Sequence, residues 1–212
     1  LEMLGKINDS MDKPVMAIIG GSKISTKINL LANLLERVDF LVIGGAMANT
    51  FLLEQGYKVG KSLVEIEKTS IARKVLDESS KNNCTIILPK DVVVSRSLDS
   101  SEEPNNVGLK EIDDNMSIYD VGYKTVEEIS NLMATCKTVF WNGPLGVYEK
   151  PPFDSSTNVI GRTAAILTKG KIITSVAGGG DTVAALNNAS LAGGFSYVSI
   201  AGGALVEWLE GC

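Results

Sequence analysis

"VMAIIGGSKISTKINLLANLL", residues 15–35, is the stretch whose reading decides the fold. Val15–Ile19 is a short, continuous apolar run, the pattern of a strand buried on both faces. Gly20-Gly21 breaks it, and Ile24, Ile28, Leu31 and Leu35 then recur at helical spacing, so a helix is expected over Ser25–Arg37. Strand, glycine turn and helix together make the opening half of a βαβ unit. One detail resists. Lys23 and Lys27 fall in the first turns of the expected helix, four apart and so on one face. The macrodipole already makes that end positive, at a cost of about 0.3–1 kcal/mol for each cation. Two solvated lysines beside an apolar stripe would bear that cost. A polyanion above the helix start would reverse it, accepting bonds from free amides and from both ammonium groups.

The same alternation continues outward from this stretch. Further strands are expected near Phe40–Ile43, Thr85–Leu88, Thr138–Trp141, Lys171–Val176 and Tyr197–Ile200. Helices are expected near Ala46–Gln55, Ile66–Asn82, Thr125–Cys136, Ser155–Thr168, Thr182–Asn188 and Ala204–Leu209. This is the signature of an α/β fold with a parallel sheet. "DVVVS" (Asp91–Ser95) reads as one more strand, at an edge. Ser97–Asn115 is acidic and rich in turn formers, and reads as a surface excursion.

Composition removes several classes of function. The 212 residues, 44% of them hydrophobic, suffice for one large domain or two small ones. A net charge of −5 argues against nucleic acid or an anionic membrane as the main partner. No apolar run reaches 18 residues, and "LEMLGKINDSMDK" lacks the basic-then-apolar layout of a signal peptide, so a cytoplasmic location is expected. Cys84, Cys136 and Cys212 are odd in number and far apart, which favours reduced thiols. The chain has no histidine, which excludes Ser-His-Asp and Cys-His catalysis and histidine-bearing zinc sites within it. Its chemistry must rest on Lys, Asp, Glu, backbone amides or a bound metal.

Glycine clusters follow four strands: Gly20-Gly21, Gly44-Gly45, Gly178-Gly179-Gly180 and Gly202-Gly203. In an open parallel sheet, ligands bind beyond the carboxyl ends of the strands, so four clusters on that edge suggest a binding rim. In "VAGGGDTVAAL" (176–186), Asp181 reads equally as a helix N-cap or as a carboxylate holding Mg²⁺ on a nucleotide phosphate. In "VFWNGPLGVYE" (139–149), the strand stops at Asn142-Gly143-Pro144, and Glu149 is either a surface acid or an acceptor for ribose hydroxyls. In "VIGGAMANTF" (42–51), small residues would admit a flat ring or simply close helix–sheet packing.

Taken in order, "GGSKISTK", "GGAMANTF", "YKVGKSL", "WNGPLGVYE" and "GGGDT" closely resemble the C-terminal half of the phosphoglycerate kinase family, bacterial type, from about Pro14 to Gly211. The resemblance implies a three-layer, Rossmann-like nucleotide domain over residues 14–212, with a mainly parallel sheet and helices on both faces. It implies that residues 1–13 are the remnant of an interdomain helix or linker, with the N-terminal phosphoglycerate-binding domain and the C-terminal tail outside this sequence. ADP or ATP would lie with its phosphates above Gly20 and Gly21, facing Lys23 and Lys27. Gly44, Gly45, Asn142, Gly143, Pro144 and Val147 would wall the adenosine pocket, and Glu149 would bind the ribose. Gly179, Gly180, Asp181 and Thr182 would take the phosphates, with Asp181 on Mg²⁺. Lys27 and Lys23, with Gly179 and Gly180, would form the catalytic set.

The family reaction transfers a phosphoryl group between 1,3-bisphosphoglycerate and MgADP, giving 3-phosphoglycerate and MgATP. The attacking group is an anionic oxygen in either direction, so no general base is needed, in keeping with the missing histidine. A monomer is expected, inactive alone. One departure stands out: where the family usually has "STGGGA", this chain has "SIAGGAL" (Ser199–Leu205), which leaves a non-catalytic nucleotide-binding regulatory module as the alternative.

Overall fold

The structure, a computed structural model, describes residues 11–199. Six parallel strands, numbered in chain order as β1 (Val15–Ile19), β2 (Phe40–Ile43), β3 (Thr85–Ile87), β7 (Thr138–Asn142), β8 (Thr174–Gly178) and β9 (Tyr197–Ser199), form one sheet. Their spatial order is β3-β2-β1-β7-β8-β9. The apolar runs are explained by burial on both faces. Val15, Ala17 and Ile19 of β1 enter one core with α1 (Ile28–Leu35), α2 (Met47–Glu54) and α3 (Thr69–Lys81). Met16 and Ile18 point the other way. They enter a second core with α4 (Tyr123–Met133), α5 (Ser155–Lys169) and α6 (Gly180–Asn188). The result is the expected three-layer α/β domain. The strand order reverses between β1 and β7, so a crevice opens beyond their carboxyl ends. No described helix is long and apolar enough to cross a membrane.

Three expectations need correction. The helix expected over Ser25–Arg37 starts as a 3-10 turn, Ile24–Thr26, and becomes α-helical only at Ile28. Lys23 is extended (φ −132°, ψ 126°) and Lys27 sits between the two pieces (φ −128°, ψ 14°), so the lysines share no helical face. Side chains that compete for the backbone cause the break. Glu65 accepts both the Ser25 amide (3.1 Å) and its hydroxyl (2.6 Å), while the Thr26 hydroxyl donates to the Lys23 carbonyl (2.9 Å).

The second correction is larger. Asp91–Ser95 (β4) is not an edge strand but the centre of a separate antiparallel sheet, between β5 (Asn105–Gly108) and β6 (Ser117–Val121). The Ser97–Asn115 segment is therefore more than a surface excursion, because it contains β5 and a 3-10 turn at Leu109–Glu111. Val92, Val94 and Ile112 form the small core of this sheet. Asp91 ties the sheet to α4. The N-cap of α4 is Gly122, which has no side chain to offer, and Asp91 accepts the Lys124 and Thr125 amides in its place (3.1 and 2.9 Å). Burial opposes ionisation of this carboxyl, but bonds from Asn106, Thr125 and Lys124 prevail and hold it below the usual carboxylate range.

Third, β8 begins at Thr174 rather than Lys171, since α5 runs to Lys169 and Lys171 turns the chain with a positive φ of 57°. The expected helix Ala204–Leu209, the Gly202-Gly203 pair and all of "SIAGGAL" after Ser199 lie outside the described residues.

Candidate functional site

The turns beyond β1, β2 and β7 are locked together through their backbones. The Gly20 amide donates to the Asn142 carbonyl, Gly45 to Leu145, and Met47, the first residue of α2, to Gly21 (2.9, 2.9 and 3.0 Å). A Cβ on Gly20 would overlap the carbonyl oxygens of Pro144 and Gly143; one on Gly143 would overlap the Gly20 carbonyl, and one on Gly44 the Leu145 side chain. These glycines are there because two segments of the chain touch.

Three amides of the 142–149 turn are similarly committed. Gly143 donates to the Thr182 hydroxyl (2.6 Å), Leu145 to the Thr157 hydroxyl (3.1 Å) and Val147 to the Tyr119 carbonyl (2.9 Å). The Gly143 carbonyl accepts the Trp141 indole N–H (2.7 Å). Asn142, Gly143 and Pro144 are buried, and the turn is a rigid wall rather than a cradle.

The start of α6 is built differently. Its N-cap is Gly179, at φ 95°, so Asp181 is not the cap; it stands exposed in the first turn, where a negative charge is favoured. The first helical bond runs from the Val183 amide to the Gly179 carbonyl (3.0 Å). The amides of Gly180, Asp181 and Thr182 precede it and point out of the helix end, a ready anion site. A Cβ on Gly180 would meet nothing within 4 Å.

Lys27 reaches the same place. Its stem passes Gly21, which has φ 122° and leaves only van der Waals room, and its ammonium donates to the Asn142 side-chain oxygen. Burial lowers the Lys27 pKa, and the Asp181 carboxylate partly restores it. Lys23 does not join this group. It is exposed, and its charge acts on Glu65, whose carboxyl lies below its usual range; burial of Glu65 opposes that shift, and bonds from Ser25 and Ile24, with Lys23, outweigh it.

Between the rim and the antiparallel sheet lies a cavity of about 300 Å³. Of the residues expected at the site, Gly21, Gly45, Pro144, Val147, Glu149 and Asp181 line it. Glu149 and Asp181 are its acidic members, apart from Asp120 deep in the wall. The opposite wall, Val92, Ile118, Tyr119 and Val121, was missed in the sequence because it comes from the antiparallel sheet. Its signal was the run "SIYDV" (117–121), rich in β-formers, but Asp120 interrupts its apolar pattern and an acidic, turn-rich segment precedes it. Among the described residues no group of three or more His, Cys, Asp or Glu could hold a metal by itself. The donors present suit a cation carried on a phosphate, since magnesium takes one or two carboxylates and completes its shell with phosphate and water.

A family model described as phosphoglycerate kinase matches residues 1–212. The phosphoglycerate kinase of Rhizorhabdus wittichii is 49% identical over 211 residues, covering 100% of this chain and 53% of that protein. That of Cereibacter sphaeroides is 52% identical over 200 residues, covering 94% and 50%. The solved structure of phosphoglycerate kinase from Coxiella burnetii superposes with a TM-score of 0.93 at 42% identity, covering 100% of this chain and 53% of that one. The enzyme from Pyrococcus horikoshii gives 0.82 at 27%, covering 99% and 52%. The chain thus spans about half the length of the curated relatives it matches, and by sequence and structure it belongs to the phosphoglycerate kinase family.

Proposed function

We propose that this chain is the nucleotide-binding half of a glycolytic kinase that moves a phosphoryl group between 1,3-bisphosphoglycerate and MgADP. The observation that carries the reading is that Glu149 and Asp181 line one cavity, with the open α6 amides adjoining Asp181 and Lys27 close enough to feel its charge. Adenosine fills the apolar cavity, its ribose hydroxyls donating to Glu149. The phosphates accept from the amides at the start of α6 and from Lys27. Asp181 is the residue that would hold Mg²⁺, which when bound offsets phosphate charge. Lys27 sits half-buried with a lowered pKa, so an incoming phosphate relieves the cost of its charge. Lys23, exposed next to the cavity-lining Ser22, attracts the anion with less effect on its final position.

No base is required, because the acceptor is an anionic oxygen, and the chain's task is to orient the nucleotide and neutralise the group in transfer. The acylphosphate or carboxylate partner belongs to a second domain in this reading, with residues 1–13 leading from it. Transfer in a water-excluded site then needs both halves, in a monomeric, cytoplasmic enzyme.

Calorimetry with MgADP tests the site: binding that disappears when magnesium is chelated supports it, and no binding refutes it. A coupled phosphoglycerate assay on the 212-residue chain is expected to show no turnover, and turnover without a second domain would refute the two-domain requirement. The "SIAGGAL" departure favours a regulatory module instead. Adding the missing half and finding nucleotide bound but never consumed would select that alternative.

A further inference from the structure

Asp120, the next-to-last residue of β6, is only 2% exposed, yet it lines two cavities. One is the proposed adenosine cavity. The other, about 230 Å³, lies behind it between β6, α4 and α5. The carboxyl is a junction. It accepts the Ser156 amide (3.0 Å) and hydroxyl at the first turn of α5, and the Val121 amide (2.9 Å) on its own strand. Gly146 of the 142–149 turn rests so closely against it that a Cβ there would overlap Oδ1. The turn that faces the nucleoside is therefore seated on Asp120 and, through it, on α5.

Among the described residues, no lysine or arginine lines either cavity. The other ionisable groups around Asp120 are Tyr119, Tyr148, Glu149 and Asp181 at the first cavity, Tyr123 and Glu127 at the second, and Asp154 ahead of α5. None is a cation. Burial pushes the Asp120 carboxyl up to about 7; its hydrogen bonds pull it down and the Asp154 charge raises it a little further.

We propose that Asp120 is a positioning residue of the nucleotide site, seating the Gly146 turn, and that filling the adjacent cavity drives proton uptake at this carboxyl. The inference rests on the nucleotide reading above. A nucleoside against the Gly146 turn removes the remaining water near Asp120, which penalises the charged form more than the neutral one. By linkage, the bound state then holds more protons, and affinity rises as pH falls through neutrality.

The test follows the ¹³C carboxyl resonance of Asp120 against pH, in the free 212-residue chain and in the chain saturated with MgADP. The expected result is a midpoint near neutrality in the free chain that moves up on saturation. Ser156→Ala, which deletes one donor to the ionised form, should raise the free midpoint further. Asp120→Asn should weaken MgADP binding about tenfold, because an amide N–H would face the Ser156 donor. A midpoint that MgADP leaves unmoved, or that Ser156→Ala leaves unmoved, overturns the proposal, whether or not the Asn variant folds. Failure of the wild-type chain to bind MgADP at all, seen by calorimetry, refutes instead the nucleotide reading on which the proposal rests.

Discussion

Gly20, at the end of β1, and Gly180, at the start of α6, lie on the same crevice edge, and their surroundings are opposite. A side chain on Gly20 would run into the Pro144 and Gly143 carbonyls, whereas one on Gly180 would meet open space. Gly44, Gly45 and Gly143 belong with Gly20, each pressed against neighbouring chain. Glycine thus does two jobs on one rim. On the β1–β2–β7 side it lets turns interlock into a wall. On the α6 side it keeps unpaired amides approachable.

The comparison predicts its own breaking points. The largest effect is expected from Gly20→Ala, which forces two backbone segments apart and should cost roughly 3 kcal/mol or more. Gly180→Ala should keep or slightly raise the melting temperature, alanine being up to about 1 kcal/mol the better helix former, while weakening MgADP binding. Thermal melts of both variants decide the matter, and equal losses of stability would erase the distinction.

Lys27→Ala comes next, with MgATP affinity expected to fall about tenfold or more by calorimetry. Its apo stability should be unchanged or slightly raised. Because burial depresses the Lys27 pKa, the charged form carries a cost below that folded value, and the cost fades as pH rises through it towards 10.5. The stability gap between variant and wild type should therefore close at high pH. A large loss of apo stability at neutral pH would mean that the Lys27–Asn142 bond belongs to the wall and not to the ligand side.

A smaller effect concerns the sheet behind the cavity, where Asp91 and Asp120 are both 2% exposed but shifted in opposite directions. Asp120 has a folded pKa raised from 3.8 to about 7. The native state therefore binds the extra proton, and stability from this group is fully present below about 4 and lost as pH rises to about 7. Asp91 has the reverse sign, with its contribution present above the unfolded value and lost in acid. Between about pH 5 and 7, denaturant melts of the apo chain should show a downward slope, of a few kcal/mol at most, that is absent in Asp120→Asn. The smallest effect is expected from Lys23→Ala, a change of about threefold or less in MgADP affinity that diminishes with added salt.

The parallel sheet was legible because its strands are buried on both faces and read as plain apolar runs, Val15–Ile19 and Phe40–Ile43 to the residue. The antiparallel sheet was not. Asn105–Gly108 is "NNVG", with nothing in its composition to mark a strand; it exists because Val92–Val94 lies beside it. With that sheet went one side of the cavity wall, Val92 and Ile118 to Val121. The site residues fared similarly. Lys27, Asn142 and Asp181 belong to separate motifs and do come together, whereas pairing Lys23 with Lys27 requires a helix that Glu65, forty residues from Ser25, interrupts.

The amino-acid sequence alone determined the α/β class, the lack of histidine in these 212 residues and the glycine-bearing strand ends, since these depend on local pattern and on residue types present or missing. Only the tertiary structure decided which glycines are walls and which are openings, that Asp181 is not a cap, and that Asp120 stands between two cavities lined by no described cation. Those properties are set by distances between segments far apart in the chain, and no local pattern encodes such distances.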